Sequence, residues 1–209
     1  MNTFQWIKKE KLIAIIRGYN TADALAIAKA LYEGGITTLE VTLNSESPLQ
    51  TIEKIRNELG NEVKVGAGTV LDSESARLAL SAGAQFILSP SLDIDSIKLT
   101  KRYGAVSIPG AFTPTEIVTA FQEGADIIKV FPASSLGPNY IKDLQGPLPQ
   151  LKLLPTGGIT LENVASFIQK GAIGVGLGSA LIPNTCEVTA DYLSTVTKKA
   201  SAFTGEITK

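Results

Sequence analysis

The hydrophobic positions of the chain follow two spacings, one typical of buried strands and one typical of amphipathic helices. Short apolar runs predict eight strands, near residues 12-16, 37-42, 63-67, 86-88, 105-108, 127-131, 152-155 and 173-177. Between them, apolar residues recur at helical spacing, as Ala24, Ala28 and Leu31 do within the segment from Thr21 to Glu33. Eight strands are therefore expected to alternate with eight helices.

Glycines mark the boundaries between these predicted elements. Seven of them follow one another at intervals of 20 to 25 residues: Gly35, Gly60, Gly83, Gly104, Gly124, Gly146 and Gly171. Glycine just beyond a helix tolerates the left-handed backbone conformation that ends the helix, and each glycine lies between a helix-like and a strand-like stretch. The interval is the length of one strand and helix unit.

Eight such units predict an α/β fold, a closed (β/α)₈ TIM barrel. Strands that are apolar on both faces imply a parallel sheet covered by helices, and the chain has near-minimal length for this barrel. We expect a single barrel domain over residues 1-209, with an extra helix from Thr3 to Glu10 covering its bottom. The alternative is an open doubly wound sheet, but the segment I-I-R-G-Y-N after the first strand matches neither common phosphate-loop motif.

Composition and charge restrict the partners of the protein. The 209 residues are 44% hydrophobic and 19% charged, as in globular proteins, and a net charge of −1 without a basic stripe argues against a nucleic-acid partner. The early apolar run from Leu12 to Ile16 is too short for a signal peptide or a membrane span. With one cysteine, Cys186, no internal disulfide is formed, and we expect a cytoplasmic protein without a membrane partner.

The chain contains no histidine, which narrows its chemistry. Serine-histidine and cysteine-histidine pairs, histidine zinc sites and imidazole acids cannot be built from it. Any catalysis must therefore come from lysine, carboxylates, hydroxyls or backbone groups, and we expect neither a metal nor a cofactor.

Lys129 is the strongest candidate nucleophile, because it lies inside the apolar run D-I-I-K-V-F-P. Burial lowers the pKa of an amine, and a neutral lysine attacks ketones to form Schiff bases. Strand alternation places Glu40 and Lys129 inside the barrel, because the apolar residues on either side of each, such as Leu39 and Val41 beside Glu40, take the opposite face. The plainer interpretations are an exposed lysine on a strand and a structural ion pair between the two residues.

Glycines after the last two predicted strands suggest a phosphate site. The segment P-T-G-G-I follows the seventh strand and G-L-G-S the eighth, ending at Ser179. Backbone N–H groups in such loops can approach a phosphate, which these barrels commonly bind there, although tight turns are the plainer interpretation. Two further residues lie at strand ends: Thr69, which could hold a carboxylate oxygen, and Pro90.

Together these motifs resemble the 2-dehydro-3-deoxy-phosphogluconate (KDPG) / 4-hydroxy-2-oxoglutarate aldolase family. The matching segments are E-V-T-L, G-A-G-T-V, S-P, I-P-G, K-V-F-P-A, P-T-G-G-I and G-S, in order along the whole chain. The resemblance implies a metal-free class I aldolase, trimeric in most members, that cleaves a phosphorylated sugar acid into pyruvate and glyceraldehyde 3-phosphate. It also implies that Lys129 forms the Schiff base and that Glu40 transfers protons.

The resemblance further implies a set of substrate contacts. These are the hydroxyls of Thr69 and Thr156, the ring of Phe131, and a phosphate cradle of Gly157, Gly158 and Ser179. Pro90 and Gly178 are further candidate contacts because of their places after predicted strands. One position departs from the phosphogluconate members, which have an arginine for the substrate carboxylate where this chain has Asn44. We expect Arg17, at the end of the first strand, to supply that charge.

The sequence signals for the identity of the substrate point in two directions. Asn44 and the segment S-L-G-P-N-Y-I-K are similar to the phosphogalactonate-cleaving branch, whereas Thr156 favours the gluconate epimer, which we predict. The alternative substrates are the galactonate epimer and 4-hydroxy-2-oxoglutarate. A barrel that binds sugar phosphates without cleaving them is the alternative of another class. A phosphosugar isomerase or decarboxylase is disfavoured, because it would typically need an acid and base pair or metal ligands.

Overall fold

The structure is a computed structural model that describes residues 1-183 and 187-208, and Cys186 lies outside the described residues. Its strands are β1 (Leu12–Ile16), β2 (Thr38–Thr42), β3 (Lys64–Gly68), β4 (Phe86–Leu88), β5 (Val106–Ile108), β6 (Gly110–Ala111), β7 (Ile128–Val130), β8 (Leu153–Pro155) and β9 (Val175–Leu177). Its α-helices are α1 (Thr3–Glu10), α2 (Thr21–Glu33), α3 (Pro48–Leu59), α4 (Ser73–Ser81), α5 (Ile94–Arg102), α6 (Pro114–Gln122), α7 (Gly137–Gln145), α8 (Val164–Gln169) and α9 (Ala190–Thr208), with a 3₁₀ turn at Ala133–Ser135. The predicted extra helix is present as α1.

Several helices begin where the sequence provides a capping side chain. The side chains of Asn20, Asp72 and Asp93 each accept a hydrogen bond from the backbone N–H three residues later. Thr113 forms a capping box with Glu116, in which each side chain binds the other's backbone N–H. Such caps satisfy N–H groups that the first turn of a helix leaves without partners.

The predicted closed eight-stranded barrel is wrong. The strands pair in parallel, as expected, but they form two sheets: a six-stranded sheet in the order β5-β4-β3-β2-β1-β9 and a three-stranded sheet in the order β6-β7-β8. The fifth predicted strand, 105-108, is present as β5, but it ends before Pro109 and an unpredicted strand, β6, follows, because proline has no N–H to donate to a strand ladder. On the other side, β8 and β9 are joined by a single bridge, from Thr156 to Gly176.

Alternation along the strands divides the core into two parts. The larger hydrophobic cluster includes Leu39 and Val41 of β2 and Ile128 and Val130 of β7, together with helix residues. A smaller cluster holds one residue of α1 together with residues of the opposite parity from the strands and from the position before β7: Ile7, Ile13, Phe86, Leu88, Val106, Ile108, Ile127 and Leu154. The face that carries Glu40 and Lys129 is therefore the one turned away from the helices, as the sequence predicted.

Candidate active site

Lys129 lies in the middle of β7 and is only 4% exposed. Burial lowers the pKa of its amine, and the neighbouring charge of Arg17 lowers it further, whereas the nearby Glu40 carboxylate has the opposite effect. The amine Nζ lies 4.8 Å from the centre of the Phe131 ring, two residues further along. A lysine in this setting has a larger neutral, nucleophilic fraction than one in water.

Glu40 lies in β2 of the other sheet and is 1% exposed. Within residues 1-183 and 187-208, neither of its carboxylate oxygens has a hydrogen-bond partner. Burial raises the pKa of Glu40, while the positive charges of Lys129 and Arg17 pull it down. A buried carboxyl group without fixed partners can accept and return a proton more readily than one locked in a salt bridge.

The position of Glu40 depends on Gly68 at the end of β3. A β-carbon added to Gly68 would lie 1.6 Å from Glu40 Oε1 and 2.3 Å from its Cδ, so a larger residue here would displace the carboxylate. The sequence contains this glycine in the motif G-A-G-T-V, but we assigned it no role. Its placement on the same strand face as Glu40 was the available signal.

A cavity of about 370 Å³ brings together eight of the predicted site residues. These are Arg17, Lys129, Phe131, Thr156, Gly157, Gly158, Gly178 and Ser179, and Ile15 of β1 also lines it. Lys129 thus reaches the same cavity as the two glycine-containing turns that follow β8 and β9. A ligand with a carbonyl group and a distant anionic group could contact both at once.

The first of these turns is fixed by close packing on its neighbours. Gly157 and Gly158 have φ angles of +88° and +76°, which favour glycine, and a β-carbon at Gly158 would lie 2.5 Å from that of Ser134. The side chain of Asn163 donates a hydrogen bond of 2.9 Å to the Gly158 carbonyl. Ser134 and Asn163 were not predicted as site residues, because their contacts depend on distant packing.

Thr156 precedes this turn and is buried, with 3% exposure. A β-carbon at Gly176 in β9 would lie 2.4 Å from Thr156 Oγ1, so this glycine provides the space that the threonine side chain occupies. The hydroxyl therefore has a defined place in the cavity wall.

Arg17 and Asn44 lie at the ends of neighbouring strands, and their side chains form a hydrogen bond with each other. Arg17 Nη1 donates to Asn44 Oδ1 over 3.3 Å, and both side chains are exposed. The Gly18 N–H donates to Ser45 Oγ over 2.8 Å, and that hydroxyl also lies 3.0 Å from Thr42 Oγ1. The loop carrying Arg17 is thus tied to the loop that follows β2.

Four predicted site residues are not among the described residues that line this cavity: Glu40, Asn44, Thr69 and Pro90. Thr69 is partly buried and has a φ of +57°, a left-handed conformation that is unusual for threonine. Pro90 contacts Gly110, where an added β-carbon would lie 2.4 Å from the Pro90 carbonyl carbon. Whether Thr69 or Pro90 touches a substrate stays a prediction.

The described part of the chain shows neither a cluster of metal-binding side chains nor a membrane-spanning helix. No group of three or more histidine, cysteine, aspartate or glutamate side chains is arranged there to hold a metal ion. None of the helices in these ranges combines the length and apolarity that crossing a membrane requires.

Comparison with known proteins gives consistent matches. The family model for KDPG and KHG aldolase matches residues 4–198. The 2-dehydro-3-deoxy-6-phosphogalactonate aldolase of Escherichia coli K12 is 40% identical over 85% of this chain and 87% of its own length. The 2-dehydro-3-deoxy-phosphogluconate aldolase of Treponema pallidum is 33% identical over 90% of each chain. The solved structure of the Legionella pneumophila KDPG aldolase, with pyruvate captured as a covalent carbinolamine intermediate, is 28% identical with a TM-score of 0.87 over 97% of this chain and 98% of that one.

Proposed function

The chain belongs to the KDPG and KHG aldolase family, and from this premise we propose that it is a class I aldolase that cleaves 2-dehydro-3-deoxy-6-phosphogluconate into pyruvate and glyceraldehyde 3-phosphate. The observation that carries the proposal is the buried Lys129 amine at the wall of a cavity shared with two glycine-containing turns. The Legionella relative supports the covalent route, because its structure holds pyruvate as a carbinolamine.

In the proposed reaction, neutral Lys129 adds to the C2 carbonyl of the substrate to form a carbinolamine. Loss of water gives a protonated Schiff base, which accepts the electron pair of the breaking C3–C4 bond and becomes an enamine. The aldehyde, glyceraldehyde 3-phosphate, leaves at this step. Protonation of the enamine carbon followed by hydrolysis releases pyruvate and restores the amine.

Glu40 is proposed as the group that moves the protons. Its carboxylate accepts the proton of the C4 hydroxyl during cleavage and returns one to the enamine carbon afterwards. The raised pKa of Glu40 and the lack of a hydrogen-bond partner for its oxygens among the described residues both suit a group that must change protonation state twice in each cycle.

The ends of the substrate are assigned to separate groups. Arg17 is proposed to bind the carboxylate, with Asn44 holding the guanidinium through the 3.3 Å hydrogen bond. The phosphate is assigned to backbone N–H groups of the turns at Gly157–Gly158 and Gly178–Ser179. Contacts at both ends would orient the reacting carbon atoms against Lys129.

Trapping with pyruvate and borohydride tests the Schiff base. Reduction should add one covalent adduct to the wild-type protein, mapped to Lys129 by peptide mass spectrometry, and Lys129→Ala should form none. Lys64→Ala is the matched control, because Lys64 is a second strand lysine of only 9% exposure and its loss should leave the adduct intact. An adduct that persists in Lys129→Ala, or its absence from wild type, would refute the proposal.

Cleavage of the galactonate epimer is a second candidate function, favoured by Asn44 and by the similarity to the E. coli phosphogalactonate aldolase. Comparing kcat/KM for the two epimers distinguishes the candidates, and we expect the gluconate epimer to be preferred. Thr156→Val keeps the shape of the buried side chain and removes its hydroxyl, so it should lower this preference. A wild-type preference for the galactonate epimer would favour the second candidate.

Three properties of the whole protein are also proposals: a single domain, a cytoplasmic location and a homotrimer. The last is supported by exposed apolar side chains on or beside α4, α5 and α6, namely Leu71, Leu78, Tyr103, Phe112 and Phe121. Light scattering coupled to size exclusion should give three times the chain mass of 22.0 kDa. A monomeric mass at micromolar concentration would contradict the trimer.

A further inference from the structure

Three oxygen atoms from distant parts of the chain meet beside the cavity. The hydroxyls of Tyr19 and Tyr192 lie 2.8 Å apart, and each lies 2.9 Å from the Pro183 carbonyl oxygen. Burial, followed by the contact with Tyr19, raises the pKa of Tyr192, so its hydroxyl keeps its proton at neutral pH. Two hydroxyl protons serve three contacts, so at least one hydroxyl donates to the Pro183 carbonyl and the other donates either to that carbonyl or to its neighbouring hydroxyl.

This cluster connects the two loops to which binding of the substrate ends is assigned. Tyr19 lies two residues after Arg17, in the loop between β1 and α2, and Pro183 ends the segment that begins with the Gly178–Ser179 turn. Tyr192 belongs to α9, which holds the same segment at a second point, because Lys199 Nζ donates to the Ala180 carbonyl over 3.1 Å. The segment from Gly178 to Pro183 is thus braced by α9 on one side and by the Arg17 loop on the other.

The Tyr19 ring also lies directly beside the candidate site. A smaller cavity of about 250 Å³ is lined by Ile15, Arg17, Tyr19, Gly178, Ser179 and Ile182. Four of these residues, namely Ile15, Arg17, Gly178 and Ser179, also line the cavity that contains Lys129. A substitution at Tyr19 would therefore affect the position of the turn at Gly178 and Ser179 without changing the surroundings of Lys129.

We propose that Tyr19, Tyr192 and Lys199 are positioning residues that hold the Gly178–Ser179 turn ready for the phosphate group of the substrate, with the Arg17 loop serving as one of the anchors of that turn. Backbone donors that are already in place bind an anion without first losing conformational freedom. The hydrogen bonds of Tyr19, Tyr192 and Lys199, together called the brace, therefore increase the affinity for the phosphate group rather than the rate of the chemical step. The inference rests on the proposed function in assigning the phosphate to this turn.

The test compares hydroxyl deletions that leave the aromatic rings in place: Tyr19→Phe, Tyr192→Phe and the double variant. Lys199→Met releases Ala180 independently of both tyrosines. Tyr140→Phe is the matched control, because its hydroxyl also donates to a backbone carbonyl, that of Phe112 over 2.8 Å, but in another part of the protein. For each protein, calorimetry measures the affinity for inorganic phosphate. Steady-state kinetics give kcat and KM for 2-dehydro-3-deoxy-6-phosphogluconate and for its unphosphorylated analogue. Treatment with pyruvate and borohydride gives the yield of the Lys129 adduct.

We expect the double variant to bind phosphate about tenfold more weakly, which corresponds to about 1.4 kcal/mol. Its KM for the phosphorylated substrate should rise similarly, while KM for the unphosphorylated analogue and the yield of the adduct stay at wild-type values. Lys199→Met should weaken phosphate binding in the same way, and Tyr140→Phe should change neither quantity. Such a split between substrates would not follow from a general loss of stability.

Two results would overturn the inference: unchanged phosphate affinity in both the double variant and Lys199→Met, or an equal rise in KM for both substrates. Its failure is distinguishable from failure of the proposed function. If wild type forms no adduct with pyruvate but the double variant still loses phosphate affinity, the aldolase assignment is wrong and the brace is supported.

Discussion

Gly68→Ala tests whether the place of the Glu40 carboxylate controls turnover. The added methyl group would lie 1.6 Å from Glu40 Oε1, whereas such contacts essentially never fall below 3.0 Å, so the carboxylate must move by at least 3.0 − 1.6 = 1.4 Å. A misplacement of about 1 Å in an active site can cost about 10²-fold in rate. We therefore expect kcat to fall by about 10²-fold or more, although the substitution adds only one carbon atom.

The assay follows pyruvate release from 2-dehydro-3-deoxy-6-phosphogluconate, with thermal unfolding recorded on the same samples. Gly205→Ala is the matched control, because an added β-carbon there, in α9, meets nothing within 4 Å. Alanine is also the better helix former, so this control should keep full activity with equal or higher stability. Unchanged thermal unfolding with reduced turnover would assign the Gly68→Ala effect to the site.

A double-mutant cycle separates an effect through Glu40 from a general disturbance of β3. In the Glu40→Gln background, Gly68→Ala should reduce kcat by much less than it does in wild type, because the proton-transfer group is already lost. Wild-type turnover in Gly68→Ala would refute the geometric argument. An equal loss in both backgrounds would show that Gly68 does not act through Glu40.

Four further predictions concern the charged groups and metal dependence. Glu40→Gln should lower kcat by about 10²-fold or more with the fold intact, and unchanged turnover would assign the protons to another group. Because burial raises the pKa of Glu40 above its ordinary value of 4.5, ionisation costs the folded state stability, so Glu40→Gln should gain in urea midpoint over wild type as pH rises above 4.5; no gain would contradict this. Arg17→Ala should raise KM for the sugar acid and for pyruvate by about tenfold, or about 1.4 kcal/mol of binding, and unchanged KM values would mean that other donors hold the carboxylate. Activity should survive EDTA, because a chain with no histidine and one cysteine supplies few ligands for a catalytic transition metal; loss restored by zinc or magnesium would overturn this.

Much of the local structure could be predicted from the sequence, because strand alternation and helix caps are local signals. The segments 12-16 and 86-88 are strands with the predicted bounds, and the other six predicted strands differ by one or two residues at one or both ends. Six of the seven periodic glycines have the expected positive φ, and Gly146 does not. Alternation also placed Glu40 and Lys129 on the face away from the helices.

The division into two sheets could not be predicted in the same way. Counting eight apolar runs gives the number of units but not the hydrogen bonds that join neighbouring strands. Pro109 was visible in the sequence, and its missing N–H was the signal that the chain would leave one sheet after β5 and begin another strand at β6. The weak junction between β8 and β9 depends on how two three-residue strands meet, for which no local pattern exists.

The residues that support the site were harder to identify than the residues that form it. Lys129 and Glu40 were recognisable because charged groups in apolar strands are exceptions to a local pattern. Tyr19 and Tyr192 are 173 positions apart and follow no such exception, so only the folded chain shows that their hydroxyls meet.

The site combines two groups whose burial opposes folding. The carboxylate of Glu40 and the amine of Lys129 both lose hydration, and the pKa shifts of both are dominated by burial, so their mutual attraction only partly offsets the cost. A structural ion pair would be expected to have fixed hydrogen bonds that satisfy the remaining oxygens, yet the Glu40 oxygens have no partner within the described residues. Gly68 keeps the space beside this carboxylate free of other side chains. This arrangement favours proton exchange over stability, which is the strongest physical argument against the purely structural interpretation of the pair.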